Sequence, residues 1–291
     1  MFARVLFPTD FSPHSEQLAS CLQEMKPLGV EEIVLLNVVE LGPQIGFASD
    51  TFEKMVAWKE DAEPRLAALK QRIEAGGIRC RWRLEAGKPS LEILRVAEEE
   101  RVSLIAMGTH GHGFVRGVLL GSVTHDIARR ATVPVLVLKV VVMDGLGATD
   151  CGFVCQHIFR RVLLPTDFSD GAGEALALVK KMRAAGVGDV IVLHVRDECQ
   201  QAELDTQATV CERMERIRTG LEFFGFTVES LIVGGDPAEA VDRIAREHDV
   251  SLIVIGSKGR SAAKDVLLGS VSDAVICQHV RPVLVVRPGC A

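Results

Sequence analysis

The chain has 291 residues and a formal net charge of −6, with 48% hydrophobic and 25% charged residues, values that are typical of a soluble globular protein. The acidic balance and the 5% aromatic content argue against nucleic acid as a partner. No excess of basic residues is available to neutralise phosphates, and few aromatic rings are available to stack on bases. The longest apolar run, 133–143, falls short of the ~20 residues that a membrane span requires. Because Met1 leads directly into a predicted strand, we expect a cytoplasmic protein without membrane contact.

The first half of the chain predicts five strands that alternate with helices. Helical periodicity is clearest at 88–101. The second and fourth strands are almost continuously apolar, as expected for parallel strands whose sheet is covered on both faces. We place the five strands near 2–8, 32–38, 79–85, 103–107 and 133–140.

The second half repeats this alternation, with strands near 160–165, 189–195, 227–233, 251–255 and 281–287. Strands that alternate with helices indicate a parallel α/β sheet with right-handed crossovers in each half. The last strand of each half is apolar at an expected sheet edge, and an exposed edge is normally blocked or paired. We therefore expect the two terminal strands to pair and to make an internal pseudo-dimer. A terminal strand buried inside its own domain is the alternative.

Identical stretches in the two halves reveal an internal duplication. Arg4–Ser12 returns as Arg161–Ser169 with one difference, and Val118–Val123 returns unchanged as Val266–Val271. A period this long indicates a duplicated domain, since solenoid repeats are only roughly 20–50 residues long. We predict one domain at 1–139, a linker at 140–157 and a second domain at 158–291.

The first repeat carries an insertion. Asp10 lies 157 positions before its copy Asp167, whereas Gly108 lies only 148 positions before its copy Gly256. About nine extra residues therefore lie in the first repeat, between 40 and 75. Within this region, Leu41–Trp58 contains the large apolar side chains of Phe47, Phe52, Met55 and Trp58. These side chains either pack an amphipathic helix onto the core, which we favour, or form a lid over a site in the first repeat.

A glycine spacing also occurs twice, each time after an apolar strand and before a predicted helix. The copies consist of Gly108, Gly111, Gly121 and Ser122, and of Gly256, Gly259, Gly269 and Ser270. Glycine lets the backbone approach a ligand closely, and the N–H groups at a helix N-terminus bind anions. We expect Ser122 and Ser270 to cap their helices. The pattern predicts a phosphate-binding loop in each repeat.

Asp10 and Asp167 follow the first strand of their repeats. If the first and fourth strands are neighbours, the aspartate and the glycines share one crevice at the carboxyl ends of the strands. Asp10 can then hold ribose hydroxyls or an adenine nitrogen, with Val38 against the base. The alternative is that Asp10 and Ser12 form a helix-capping turn, and both arrangements can hold together.

Other site chemistries are disfavoured. The chain lacks G-x-x-x-x-G-K-[ST], which excludes a P-loop NTPase, and Gly111–Gly113 does not continue as G-x-G-x-x-G. Cys151, Cys155 and His157 do not match a zinc spacing, so we predict no metal site and expect unpaired thiols there. The histidines of the first glycine loop are accompanied by neither a nucleophile nor a metal set, so we predict no catalytic residue.

The spacing G-x2-G-x9-G-[S/T], with Pro-Thr-Asp after the first strand, resembles the ATP-binding signature of universal stress proteins over nearly the whole chain, twice. The resemblance implies two tandem Rossmann-like α/β domains, each with a five-stranded parallel sheet in order 3-2-1-4-5 and helices on both faces. It implies ATP, or AMP or ADP, as the ligand, and leaves open whether Mg²⁺ accompanies the nucleotide. The nucleotide-binding residues that it implies are Pro8, Asp10, Val38, Met107, Gly108, Gly111, Gly121, Ser122 and Val123, and in the second repeat Pro165, Asp167, Val195, Ile255, Gly256, Gly259, Gly269, Ser270 and Val271.

We therefore expect an adenine-nucleotide-binding protein with a regulatory or stress-response role. Two alternatives stay open: a slow ATPase or adenylyl-transfer enzyme, and an interaction scaffold with vestigial nucleotide sites. The two sites are expected to differ, because the loop charges are not repeated, and homodimerisation beyond the internal pairing stays open. The differing positions are His110, His112 and Arg116 in the first loop and Lys258, Arg260 and Lys264 in the second.

Overall fold

In a computed structural model of the chain, the residues described are 1–40, 48–109, 120–139, 158–196, 207–259, 268–278 and 281–289. Among them, residues 1–131 form one compact unit, and 132–139 together with 158–289 form a second. None of the helices in these ranges combines the length and the apolar character that a transmembrane span requires.

The first unit is built on a parallel sheet. Its strands are β1 (Arg4–Pro8), β2 (Glu32–Val39), β3 (Arg79–Ala86) and β4 (Leu104–Gly108). They lie side by side in the order β3-β2-β1-β4, all parallel. The middle residues of β1, β2 and β4 are buried, as the continuous apolar runs predict for a sheet that is covered on both faces.

Helices pack in two pairs against this sheet. They are α1 (Pro13–Cys21), α2 (Ala48–Ala75), α3 (Pro89–Glu99) and α4 (Ser122–Arg130), with a short 3-10 helix at Gln23–Leu28. Helix α1 packs against α2, and α3 packs against α4. The arrangement follows from the connections, because right-handed crossovers that run in opposite directions from β1 place helices on opposite faces of the sheet.

The second unit repeats this architecture and contains two additional strands. Its strands are β5 (Val135–Leu138), β6 (Arg161–Pro165), β7 (Asp189–Arg196), β8 (Thr227–Gly234), β9 (Leu252–Gly256) and β10 (Val283–Val286). Strands β6 to β10 are parallel and lie in the expected 3-2-1-4-5 order. Strand β5 pairs antiparallel with β10, with Leu136 opposite Leu284. The predicted pairing of the two terminal strands is therefore confirmed, whereas the pseudo-dimer and the domain limits stay predictions.

The helices of the second unit are α5 (Asp170–Met182), α6 (Gln207–Phe223), α7 (Pro237–Glu247) and α8 (Ser270–Gln278), with a 3-10 turn at Arg183–Ala185. Helix α7 shows why the local sequence folds this way. Its N-cap Asp236 accepts a hydrogen bond from the Glu239 amide at 2.9 Å, and Pro237 occupies the first turn, where no amide donor is needed. Val241 and Ile244 then form its buried face.

Helix α2 contains the described part of the first-repeat insertion. Ala62, Leu66 and Ile73 are fully buried, so the second half of the helix packs as an amphipathic helix should. The first half does not follow the expectation that its large apolar side chains pack on the core, since Phe52 is 69% exposed. Trp58 is half-buried. Residues 41–47 lie outside the described residues.

The cysteines of the described ranges are not all thiols. Cys21 is disulfide-bonded, which the sequence did not predict. Cys80, Cys211 and Cys277 are free thiols. The linker cysteines, for which unpaired thiols are expected, lie outside the described residues.

Candidate functional site

A crevice is expected at the strand ends of each unit, because the strand order reverses there. Strand β1 lies between β2 and β4, and β6 lies between β7 and β9. The chain thus leaves the carboxyl ends of neighbouring strands at Pro8 and Gly108 in the first unit and at Pro165 and Gly256 in the second. In open α/β sheets, ligands bind at such switch points. The predicted aspartate and glycine loops both begin here.

The first aspartate lies in a tight capping turn. The Ser12 amide donates to Asp10 Oδ1 at 3.1 Å, and Ser12 Oγ in turn accepts from the Ser15 amide at 3.2 Å and caps α1. The Phe11 amide donates to Thr9 Oγ1 at 3.1 Å. The capping turn that the sequence allowed for is therefore present, and it fixes the direction of the Asp10 carboxylate.

The second unit forms the same turn. The Ser169 amide and hydroxyl both donate to Asp167 Oδ1, at 3.0 and 2.6 Å, and the Phe168 amide donates to Thr166 Oγ1 at 3.1 Å. Hydrogen bonds to a charged acceptor are stronger than neutral ones. The aspartate loop is thus a rigid element of both repeats.

One residue of each loop adopts an uncommon backbone conformation. Phe11 has φ of +60° and Phe168 has φ of +61°, a region that bulky L-residues rarely occupy. Each ring lies beneath a guanidinium group, at 4.4 Å for Arg65 and 5.3 Å for Arg213. A strained residue that recurs next to the predicted site indicates that the surrounding structure holds the loop in place.

A buried polar residue of the second strand of each repeat contacts the backbone of the aspartate loop. Asn37 Nδ2 donates to the Thr9 carbonyl oxygen at 2.8 Å. At the equivalent position, His194 Nδ1 lies 2.9 Å from the Thr166 carbonyl oxygen, which accepts only if the proton is on Nδ1. These residues were not among the predicted site residues. A signal was present, because each interrupts an otherwise apolar strand.

The glycine loop of the second unit touches the aspartate. A Cβ placed on Gly259 would lie 2.7 Å from Asp167 Oδ2, and a Cβ placed on Gly269 would lie 3.4 Å from the Gly259 amide nitrogen. The Gly269 amide also donates to the Ser257 carbonyl oxygen at 2.8 Å. The structure therefore places Asp167 beside Gly259, and Gly259 beside Gly269.

The described part of the first glycine loop is closed by equivalent bonds. The Gly121 amide donates to the Thr109 carbonyl oxygen at 2.6 Å, and Thr124 Oγ1 donates to the Gly108 carbonyl oxygen at 2.8 Å. Gly111 lies outside the described residues. So do five of the six charged loop positions, namely His110, His112, Arg116, Arg260 and Lys264.

The predicted serine caps are wrong. Gly121 is the N-cap of α4, with φ of −70° and ψ of 150° and no side-chain capping bond, and Ser122 is the first helical residue. The Asp273 amide donates to the Gly269 carbonyl oxygen at 2.9 Å, so Ser270 also lies within the first turn of its helix. A side chain inside the helix cannot take the position from which a capping residue reaches the first amides.

The remaining predicted residues divide by burial. Met107 and Ile255 are each only 5% exposed and pack in the cores. The half-buried ones lie at strand ends or in the first turn of a helix, where backbone and side chain can reach a crevice; these are Pro8, Val38, Val123, Pro165, Val195 and Val271. Ser257, which was not predicted, is fully buried, and its hydroxyl has no hydrogen-bond partner among the residues that the structure describes.

Comparison with known proteins identifies the family. The sequence model of the universal stress protein family matches residues 1–139 and 158–287. A universal stress protein from Methanocaldococcus jannaschii is 35% identical over 155 residues, which is 45% of this chain and 96% of that relative. One from Mycobacterium bovis is 25% identical over 244 residues, 79% of this chain and 78% of the relative.

A solved structure extends the similarity to almost the entire chain. The crystal structure of a universal stress protein from Archaeoglobus fulgidus DSM 4304 is 29% identical, with a TM-score of 0.75, and the match covers 98% of this chain and 96% of that one. Because the family model matches both repeats, the chain belongs to the universal stress protein family as a tandem member with two copies of the domain.

Proposed function

We propose that the chain binds an adenine nucleotide in each repeat and acts in the cytoplasm as a regulatory stress-response protein without fast chemistry. The observation that carries the proposal is the contact between Asp167 and Gly259 at the carboxyl ends of β6 and β9. A carboxylate accepts hydrogen bonds from sugar hydroxyls, and a glycine loop before a helix presents amides to phosphate. Both ends of a nucleotide would therefore be recognised within one crevice.

The residues present fit such a ligand. A side chain at Gly259 would occupy the space beside the carboxylate, so the glycine keeps the crevice open at that point. Within the described ranges the buried Ser257 hydroxyl has no protein partner, and a buried polar group is normally paired. A phosphate oxygen could accept its hydrogen bond. The helices that follow the glycines add a favourable dipole term of ~0.3–1 kcal/mol per charge.

The two sites are proposed to differ in preference. Lys258 stands in the second loop where His110 stands in the first. A lysine is cationic at neutral pH, whereas most histidines are neutral. We therefore expect the second site to prefer ATP over AMP more strongly than the first, with Mg²⁺ accompanying the triphosphate.

Thermal unfolding with and without millimolar ATP tests the proposal. A ligand at 100 times its Kd should stabilise the folded chain by ~2.7 kcal/mol. Asp10→Ala and Asp167→Ala should each remove one site in calorimetric titrations, and the double variant should remove both. Glu212→Ala is the control, since that carboxylate is 72% exposed on α6 and distant in sequence from both loops.

Several outcomes would contradict the proposal. An unchanged melting temperature at millimolar ATP, with no nucleotide in mass analysis of the purified protein, favours a scaffold with vestigial sites. Steady phosphate or pyrophosphate release that disappears in Asp10→Ala or Asp167→Ala favours an enzyme. Titrations with ATP, ADP and AMP, each with Mg²⁺ and with a chelator, identify the preferred ligand and the role of the ion.

A further inference from the structure

Helix α2 reaches the Asp10 loop at two points. Trp58 and Arg65 are seven residues apart, which places both side chains on one face of the helix. Each of them makes a hydrogen bond that leads to a residue beside Asp10. The contacts come from opposite ends of the loop, one before the aspartate and one after it.

The Trp58 contact passes through a buried amide. Trp58 Nε1 donates to Asn37 Oδ1 at 2.7 Å, and Asn37 Nδ2 donates to the Thr9 carbonyl oxygen at 2.8 Å. Asn37 is 5% exposed, so its amide loses water and depends on these two partners for orientation. The indole thereby fixes the residue that precedes Asp10.

The Arg65 contact is direct. One of its Nη atoms donates to the Phe11 carbonyl oxygen at 2.8 Å and lies 3.0 Å from Glu16 Oε1, and the guanidinium carbon lies 4.4 Å from the centre of the Phe11 ring. Phe11 is the strained residue that follows Asp10. The arginine therefore contacts both the carbonyl oxygen and the ring of the strained residue.

From this geometry we propose that Trp58 and Arg65 are positioning residues of the first nucleotide site, and that they couple its occupancy to the first half of helix α2. The inference rests on the proposed function. In α2 between Phe52 and Asp61, Met55 and Trp58 are half-buried and the other residues are exposed, so Trp58 is a main anchor of this half. If the helix orders the loop, a ligand on the loop must order the helix to the same extent, because coupling is reciprocal.

The second repeat is held differently. Arg213 of α6 lies over the Phe168 ring, as Arg65 lies over Phe11. His194 occupies the position of Asn37 in the second repeat. Its ring stacks on the Phe168 ring, with the ring centres 4.6 Å apart, whereas Asn37 accepts a hydrogen bond from Trp58. Both tryptophans of the chain lie in the first repeat, so the tryptophan relay belongs to the first site, whereas the contact between arginine and phenylalanine occurs in both repeats.

The test compares Trp58→Phe with Trp82→Phe, the substitution of the other tryptophan in the chain. Both are made in an Asp167→Ala background, which leaves ATP only the first site. Loss of the indole donor should weaken ATP binding about fivefold in Trp58→Phe, the effect of one neutral hydrogen bond. It should leave binding unchanged in Trp82→Phe.

Three further readouts separate positioning from a loss of stability. Asn37→Ala breaks the same relay, so adding Trp58→Phe to it should weaken binding no further, whereas independent effects would add. Without any nucleotide, the Phe11 and Ser12 amides should exchange hydrogen faster in Trp58→Phe than in Trp82→Phe. Arg65→Lys keeps the charge but loses the planar guanidinium group. Its ATP affinity should therefore fall between those of the wild type and Arg65→Met.

Equal ATP affinity and equal amide exchange in the two tryptophan variants would overturn the inference while the proposed function stands. If the wild type binds no nucleotide, the proposed function fails. The exchange rates of Phe11 and Ser12 then decide alone whether α2 positions the loop, and equal rates would refute that as well.

Discussion

Two glycines of helix α5 should respond in opposite directions to the same substitution. A Cβ on Gly171 would lie 3.2 Å from the Lys258 carbonyl carbon and would overlap its oxygen. A Cβ on Gly173 would meet no atom within 4 Å. Both residues lie in the first turns of the helix, so alanine improves helix propensity at either position.

The magnitudes follow from these contacts. Overpacking costs ~1–3 kcal/mol here, because the atoms that the new Cβ would meet belong to the backbone of Lys258 and not to a flexible side chain. Gly173→Ala should instead stabilise the chain by ~0.5–1 kcal/mol, the usual gain when alanine replaces glycine in a helix. Because alanine brings the same propensity gain at both positions, we expect the free energies of unfolding of the two variants to differ by ~1–3 kcal/mol, which is the cost of overpacking.

Urea unfolding measures this difference. Both tryptophans lie in the first repeat, so the transition should be followed by far-ultraviolet circular dichroism. The free energy of unfolding of the wild type should lie between those of the two variants. Equal stability of Gly171→Ala and Gly173→Ala would show that helix α5 and the Lys258 loop do not approach closely.

Two other perturbations test the site and the core. Gly259→Ala should weaken nucleotide binding in an Asp10→Ala background at least tenfold, because its Cβ would lie 2.7 Å from Asp167 Oδ2; calorimetry that finds equal affinity would contradict the assigned crevice. Burial lowers the pKa of Lys139 from 10.5 to about 8, so the unfolded chain binds this proton more tightly than the folded one. Stability should therefore gain ~2 kcal/mol between pH 7 and 9.5 relative to Lys139→Met. If the stability of the wild type and of Lys139→Met changed with pH in the same way, the burial of the Lys139 amine would be refuted.

Much of the fold was predictable from local patterns. The apolar run 33–38 and its copy 190–195 indicated buried parallel strands, and both lie within strands of the structure. The repeated aspartate motif offered a capping turn at Ser12 as an alternative to ligand contact, and the structure contains that turn. These features depend on residues close in sequence, where hydrophobic periodicity and capping preferences act directly.

What the sequence missed depends on tertiary contacts. Asn37 and His194 interrupt apolar strands visibly, but only the paired strands show that they reach the carbonyl groups of the aspartate loops. Phe52 is apolar at a helix position, yet it is 69% exposed, in the half of α2 that precedes its buried face. Ser122 was assigned a capping role on residue preference, and the helix begins one residue earlier than that role requires.

The antiparallel pairing of β5 with β10 has a consequence for how the gene product can be divided. Strand β5 belongs to the first family-matched segment, but it lies in the second compact unit. A second half produced alone, from residue 158, would leave the apolar edge of β10 open, and such edges recruit other chains. Covalent connection supplies the missing strand at a high effective concentration, whatever the abundance of the protein in the cell. Duplication of the domain within one gene thus makes the pairing independent of expression level.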